Sequence, residues 1–143
     1  MNEIIPGVFV GDAISARNTK KNIKRVVNAG QLKNLANLPP ADYLKIEIDD
    51  DGSYDDLLAF YDAIPRFLHF MDASDVIQSP VLIHCQLGVS RSCSLMVVYL
   101  LAKNMCATVD EAIALVKAKR SVAFINRRHV YKSVIEEWFD TRK

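Results

Sequence analysis

The sequence predicts an α/β fold: a central mixed, mostly parallel, twisted sheet of about four to five strands flanked by helices. Three observations predict it. Short β-favouring runs alternate with longer segments whose apolar residues recur at helical spacing. Residues 81–83 (Val-Leu-Ile) are apolar throughout, as in a central strand covered on both faces. The run Val81-Leu-Ile-His-Cys-Gln-Leu-Gly-Val-Ser-Arg-Ser92 passes from strand through a tight loop into a helix, and such sheets place ligands at the carboxyl ends of their strands.

The elements follow in order. Val8 to Val10 reads as a short strand ended by Gly11, and residues 23–28 as a second, basic and then apolar, ended by Ala29-Gly30. Pro39-Pro40 blocks any helix over residues 34–40. Residues 43–48 alternate apolar and polar, a half-buried strand, and lead into an acidic loop, 49–53, that contains Gly52. From Asp56, the spacing of Leu57, Phe60, Ile64, Phe67, Leu68 and Met71 predicts a helix, which Pro65 should bend. The helix over 92–103 is apolar nearly all round and should be the buried one. Thr108-Val-Asp-Glu111 reads as a capping box for a helix that buries Ile113 and Val116. A last helix is expected from Arg127 to Phe139, with Val130, Val134 and Trp138 on one stripe.

Composition narrows the class. With 143 residues, half of them apolar, the chain is expected to be one domain, 1–143, with a full core. A net charge of +1 offers no field for nucleic acid or a membrane surface. The longest apolar stretch, 95–102, is too short to span a bilayer, and residues 1–6 lack the basic and apolar regions of a secretion signal. Three cysteines without paired spacing fit a reducing compartment, the cytoplasm or also the nucleus, better than a disulfide framework. No His, Cys and carboxylate cluster has metal-ligand spacing, so neither metal nor other cofactor is expected.

The chemistry lies in Cys85 to Ser92. Loop amides can turn inward as a nest for an anion, and a helix N-terminus adds unpaired N–H groups and partial positive charge. Gly88 permits the bend, and the planar fork of Arg91 can grip two phosphate oxygens. A cation opening a helix is unfavourable unless an anion binds there. The same field favours thiolate at Cys85, the nucleophilic form. The pattern points to attack by sulfur on phosphorus.

The run matches the protein tyrosine phosphatase loop, His-Cys-x5-Arg-Ser/Thr, and Gly88, Ser90, Arg91 and Ser92 give it the form of the dual-specificity phosphatases, which the chain resembles over nearly its whole length. Ile5-Pro-Gly-Val-Phe-Val-Gly-Asp12, Val26-Val-Asn28 and Val98-Tyr-Leu-Leu101 resemble that family's strands and central helix; Glu111-Ala112, Val116, Arg120 and Asn126 fall at the spacing of its last two helices. The resemblance implies that Cys85 is the nucleophile and that Arg91 and the amides of Gln86, Leu87, Gly88, Val89, Ser90 and Arg91 bind the substrate phosphate. It implies that His84 organises the loop without acting as a base, and that Ser92 stabilises Cys85 as a leaving group, besides serving as an N-cap. Arg120 falls where relatives can contact a second phosphate, with Arg127 and Arg128 as further basic candidates. Ile125 stands where the family has proline before Asn126, a change that bears on loop rigidity and the pocket rim.

The leaving oxygen needs a proton, and a loop carboxylic acid can supply it. Asp49, Asp50 and Asp51 are the candidates. Counting back from the helix favours Asp51, the preferred choice; counting forward from Ile48 favours Asp50. Cys93 could trap an oxidised Cys85, but a small core residue is the better reading. The resemblance implies a phosphorylated protein substrate acted on by a monomer, dephosphorylated at tyrosine and at serine or threonine. The loop positions Gln86, Leu87 and Val89 are not basic, which disfavours a phosphoinositide. A non-catalytic phosphate-binding adaptor is the alternative, and a sulfur-relay or arsenate-reducing enzyme a further rival that would need Cys93 as resolving thiol.

Overall fold

The computed structural model describes residues 1–18, 22–127 and 129–142. Its elements are β1 (Asn2–Ile5), β2 (Val8–Gly11), α1 (Ala13–Arg17), β3 (Arg25–Asn28), β4 (Tyr43–Lys45), α2 (Tyr54–Asp72), β5 (Val81–His84), α3 (Arg91–Ala102), α4 (Val109–Lys119) and α5 (Lys132–Thr141). Short 3-10 turns lie at Pro40–Asp42 and Ile125–Arg127. The strands form one five-stranded sheet in the order β1-β2-β5-β3-β4, parallel except for the β1–β2 pair. This is the mixed, mostly parallel sheet expected.

Strand alternation divides the core. Val8, Val10, Val27, Val81 and Ile83 share one buried cluster with Phe60, Ile64 and Phe67 of α2, Leu95 and Leu100 of α3, Val116 of α4 and Ile135 of α5. Val26 and Leu82 belong to a smaller cluster with Ala16 of α1 and Ile23. Thus β5 is sealed on both sides, and its carboxyl end delivers His84 and Cys85 to the sheet's rim from a rigid base. Helix α3, expected to be buried all round, has every residue from Ser92 to Leu101 buried.

The differences from expectation have local causes. Strand β1 went unread because Asn2 and Glu3 dilute its apolar signal; the Gly7 turn, at φ +85°, folds it back on β2. Helix α1 is one short turn capped by Asp12, whose carboxylate accepts the Ser15 N–H at 2.8 Å. Helix α2 starts at Tyr54 rather than Asp56, because Ser53 Oγ caps it by accepting the Asp56 N–H at 3.2 Å. Strand β4 ends at Lys45, yet Ile46 and Ile48 stay buried and the Ile46 N–H reaches Asn28 O at 2.8 Å. Ser90, not Ser92, occupies the N-cap of α3. Helix α5 begins at Lys132, not Arg127, which instead closes the 3-10 turn Ile125–Arg127, with Asn126 at φ +58°. Its stripe is Val134, Ile135 and Trp138, and Val130 precedes it. The Thr108 cap forms as expected, its Oγ1 accepting the Glu111 N–H at 3.1 Å.

Leu100 is fully buried among these helices. Leu100→Ala should lower stability by about 2–5 kcal/mol with an unchanged urea m-value, measured by chemical denaturation.

Candidate active site

The loop after β5 is held from behind by its carbonyls. Cys85 O accepts from His84 Nδ1 at 3.3 Å and Gln86 O from the Ala13 N–H at 3.0 Å. Leu87 O accepts from Arg120 Nη2 at 3.4 Å, Gly88 O from Arg120 Nε at 2.7 Å and from the Cys93 thiol at 3.4 Å, and Val89 O from the Phe124 N–H at 2.8 Å. In a planar trans peptide the N–H points opposite to the C=O. The amides of Gln86, Leu87, Gly88, Val89 and Ser90 are therefore turned the other way, toward the cleft. The Gly88 N–H donates to Cys85 Sγ at 3.2 Å, which confirms the direction. Only glycine fits there: φ is +68°, and a Cβ would lie 2.4 Å from Arg120 Nη2 and 2.6 Å from Gly11 O.

Cys85 is buried, with Sγ 3.2 Å from Ser92 Oγ. Arg91 opens α3, and its Nη1 donates to Ile48 O at 3.3 Å; its buried Nε has no hydrogen-bond partner among the described residues. A donor fork fixed at one tooth and unspent at another suits an incoming anion. A cleft of about 290 Å³ is lined by Cys85, Arg91, Asp49, Asp50, Ile125 and Asn126, among others.

The acidic loop departs from the preferred reading. Asp50, not Asp51, lines the cleft, and Asp50 Oδ1 accepts the Ser90 hydroxyl at 2.6 Å. Asp51 is exposed, and its carboxylate accepts the Ser53 N–H at 2.8 Å, a bond that holds it below the usual carboxylate range. The reason is backbone geometry: Asp50 lies at φ +61° and Gly52 at +72°, so the chain curls over this stretch and the count back from the helix lands on the exposed Asp51. Asp49 is engaged by the Gln31 amide.

Arg120 lies behind the loop. It is buried, and its guanidinium is spent on Gly88 O, Leu87 O and Asn2 Oδ1, the last at 2.7 Å. It braces the loop from behind. Arg128 and the side chain of Arg127 lie outside what the structure describes. Cys93 is fully buried, and burial pushes its thiol up to about 12, which suits a core residue and leaves a reductase without a ready resolving thiol. Among the described residues no group of three or more His, Cys, Asp and Glu side chains is gathered as metal ligands would be.

Sequence reasoning missed two residues behind the acidic loop. Asp56 is buried, and Tyr131 is fully buried with its hydroxyl 3.0 and 2.9 Å from the two Asp56 carboxylate oxygens. The Ser53-x-x-Asp56 spacing was a visible capping signal. Tyr131 had no signal once the last helix was begun too early.

His84 supplies a pH test. Burial, outweighing its bond to Cys85 O, holds its imidazole below the ordinary 6.5. As pH falls, the unfolded chain takes up this proton first. The contribution to stability is complete above 6.5 and declines as pH drops from there through the lowered value. Unfolding free energy should therefore fall between about pH 7 and pH 5 by denaturant titration, and His84→Gln should flatten that slope.

Residues 8–140 match the family model described as dual specificity phosphatase, catalytic domain. The chain is 33% identical over 134 residues to dual specificity protein phosphatase 13B of Mus musculus, covering 85% of this chain and 65% of that one. It is 33% identical over 128 residues to dual specificity protein phosphatase Mpk3 of Drosophila melanogaster, covering 82% of this chain and 29% of that one. The chain thus spans less than two thirds of the length of these relatives. Among solved structures, human DUSP28 matches at a TM-score of 0.76 and 20% identity over 99% of this chain and 97% of that one, a likeness of fold.

Proposed function

The chain belongs to the dual specificity phosphatase family, and from that premise we propose that it hydrolyses phosphate monoesters on protein side chains, at tyrosine and at serine or threonine, through a cysteinyl-phosphate intermediate. One observation carries the reading: a cysteine sulfur, inward-turned amides, an unspent arginine donor and a carboxylate converge on one cleft.

Phosphate oxygens sit on the amides of Gln86 to Ser90 and on Arg91, which neutralise charge as the transition state forms. The Cys85 thiolate attacks phosphorus; the S–P bond forms as the ester P–O bond breaks, and Asp50 gives its proton to the leaving oxygen. Asp50 takes this role because it lines the cleft, and the Ser90 hydroxyl aims its carboxyl. Water then attacks phosphorus, the Asp50 carboxylate takes up its proton, and the S–P bond breaks. Ser92 Oγ, already beside the sulfur, donates to the departing thiolate.

Leu87, 69% exposed, and Ile125, 43% exposed, stand at the cleft beside Gln86 and Asn126, and this uncharged edge supports a peptide substrate over a polyanionic lipid headgroup. All three cysteines are unpaired, which supports the cytoplasm as the site of action. The adaptor alternative loses ground because Asp50 stands beside the nucleophile's loop.

Hydrolysis of 4-nitrophenyl phosphate tests this. Reduced protein should turn the ester over in the presence of a chelator, and Cys85→Ser should bring the rate to background. Asp50→Asn should lower kcat/KM roughly 10²-fold or more, against about twofold or less for Asp51→Asn. The reverse order would move the acid to Asp51. Ser92→Ala should slow the second step and let phosphoenzyme accumulate, seen as a burst of nitrophenol.

A further inference from the structure

The acidic loop is built around a buried carboxylate. Asp56 Oδ1 accepts the Asp49 N–H at 2.7 Å, and Oδ2 accepts the Asp51 N–H at 3.0 Å and the Gly52 N–H at 3.2 Å. The Asp50 N–H, which lies between them, goes to Tyr131 Oη at 2.9 Å, and that hydroxyl donates in turn to Asp56. Every amide from Asp49 to Gly52 thus points at one acid–phenol pair.

Both members of the pair are anchored by separate helices. Asp56 lies in the first turn of α2, its own N–H held by Ser53 Oγ. Tyr131 precedes α5, and its ring stacks on Phe60 with centroids 4.4 Å apart. Burial, and then the neighbouring carboxylate, push the Tyr131 phenol up, so it keeps its proton and can accept from Asp50 while donating to Asp56. A buried carboxylate is costly unless hydrogen bonds satisfy it, and here loop amides and the phenol supply them. Asp50 takes a left-handed φ of +61°, with its amide captured on one side and its carboxylate meeting Ser90 on the other.

We propose that Asp56 and Tyr131 are positioning residues that hold Asp50 in the attitude from which it protonates the leaving group. This deepens the function proposed above and rests on Asp50 being the acid. Neither residue lines the cleft, so any effect on rate passes through the loop they hold, and the Tyr131 hydroxyl reaches that loop at the Asp50 N–H. A misaimed acid matters in proportion to the leaving group's need for a proton. A general loosening of the fold would slow all substrates alike.

The test compares kcat/KM for phenyl phosphate, whose leaving group needs a proton, with 2,4-dinitrophenyl phosphate, whose leaving group does not. The variants are Tyr131→Phe, which keeps the stacked ring and removes only the hydroxyl, Asp56→Asn, and Asp50→Asn. Tyr131→Phe should lose roughly tenfold on phenyl phosphate and about twofold or less on the dinitrophenyl ester. Asp56→Asn and Asp50→Asn should show the same selectivity, Asp50→Asn most strongly. Equal losses on both esters in Tyr131→Phe, or no loss on either, would overturn the positioning role while leaving Asp50 as the acid. If Asp50→Asn itself lacks the selectivity, the acid assignment falls and takes this proposal with it.

Discussion

The arrangement on which the rest depends is the outward capture of the carbonyls of Cys85 to Val89. A short loop with its N–H groups all aimed one way is electrostatically uncomfortable, since the aligned dipoles repel. It persists because each carbonyl has a partner behind it: an imidazole, the first amide of α1, the Arg120 guanidinium, the Cys93 thiol and the Phe124 amide. Those partners come from elements scattered along the chain, so the cradle is a product of the whole fold. Residues such as Arg120, His84 and Cys93 then have a common logic. They touch the back of the loop, and the chemistry happens at its front.

The second theme is that one acidic stretch holds carboxylates with different fates. Asp51 faces solvent, Asp49 is engaged by Gln31, Asp50 turns to the cleft and Asp56 is buried behind. Composition alone would treat them as a solvated run. What separates them is the backbone: left-handed residues at Asp50 and Gly52 curl the chain so that amides gather inside and side chains fan outward.

The sheet and the phosphate loop were legible because their signals are local. The apolar run at 81–83 and the Cys-x5-Arg spacing determine a strand, a loop and a helix start with little help from distant residues. Short elements such as β1 and α1 were not, since too few residues carry any period. Which carboxylate lines the cleft was hard to read for another reason: counting along a sequence assumes extended or helical rise, and φ +61° at Asp50 obeys neither. That Arg120 is buried and bonded to the back of the loop was not legible, because exposure is invisible in sequence. Tyr131 was out of reach, because its role exists only once α5 lies against α2.

The Arg120–Asn2 bond spans 118 residues of sequence. The same guanidinium holds Gly88 O, so the anion cradle is complete only when the first strand, the loop after the central strand and the end of α4 have all come together. Contacts this distant in sequence are among the last to repay the entropy of closing the chain. Asn2 touches the site at one remove: a change at the outer edge of the sheet reaches the anion cradle through a single guanidinium.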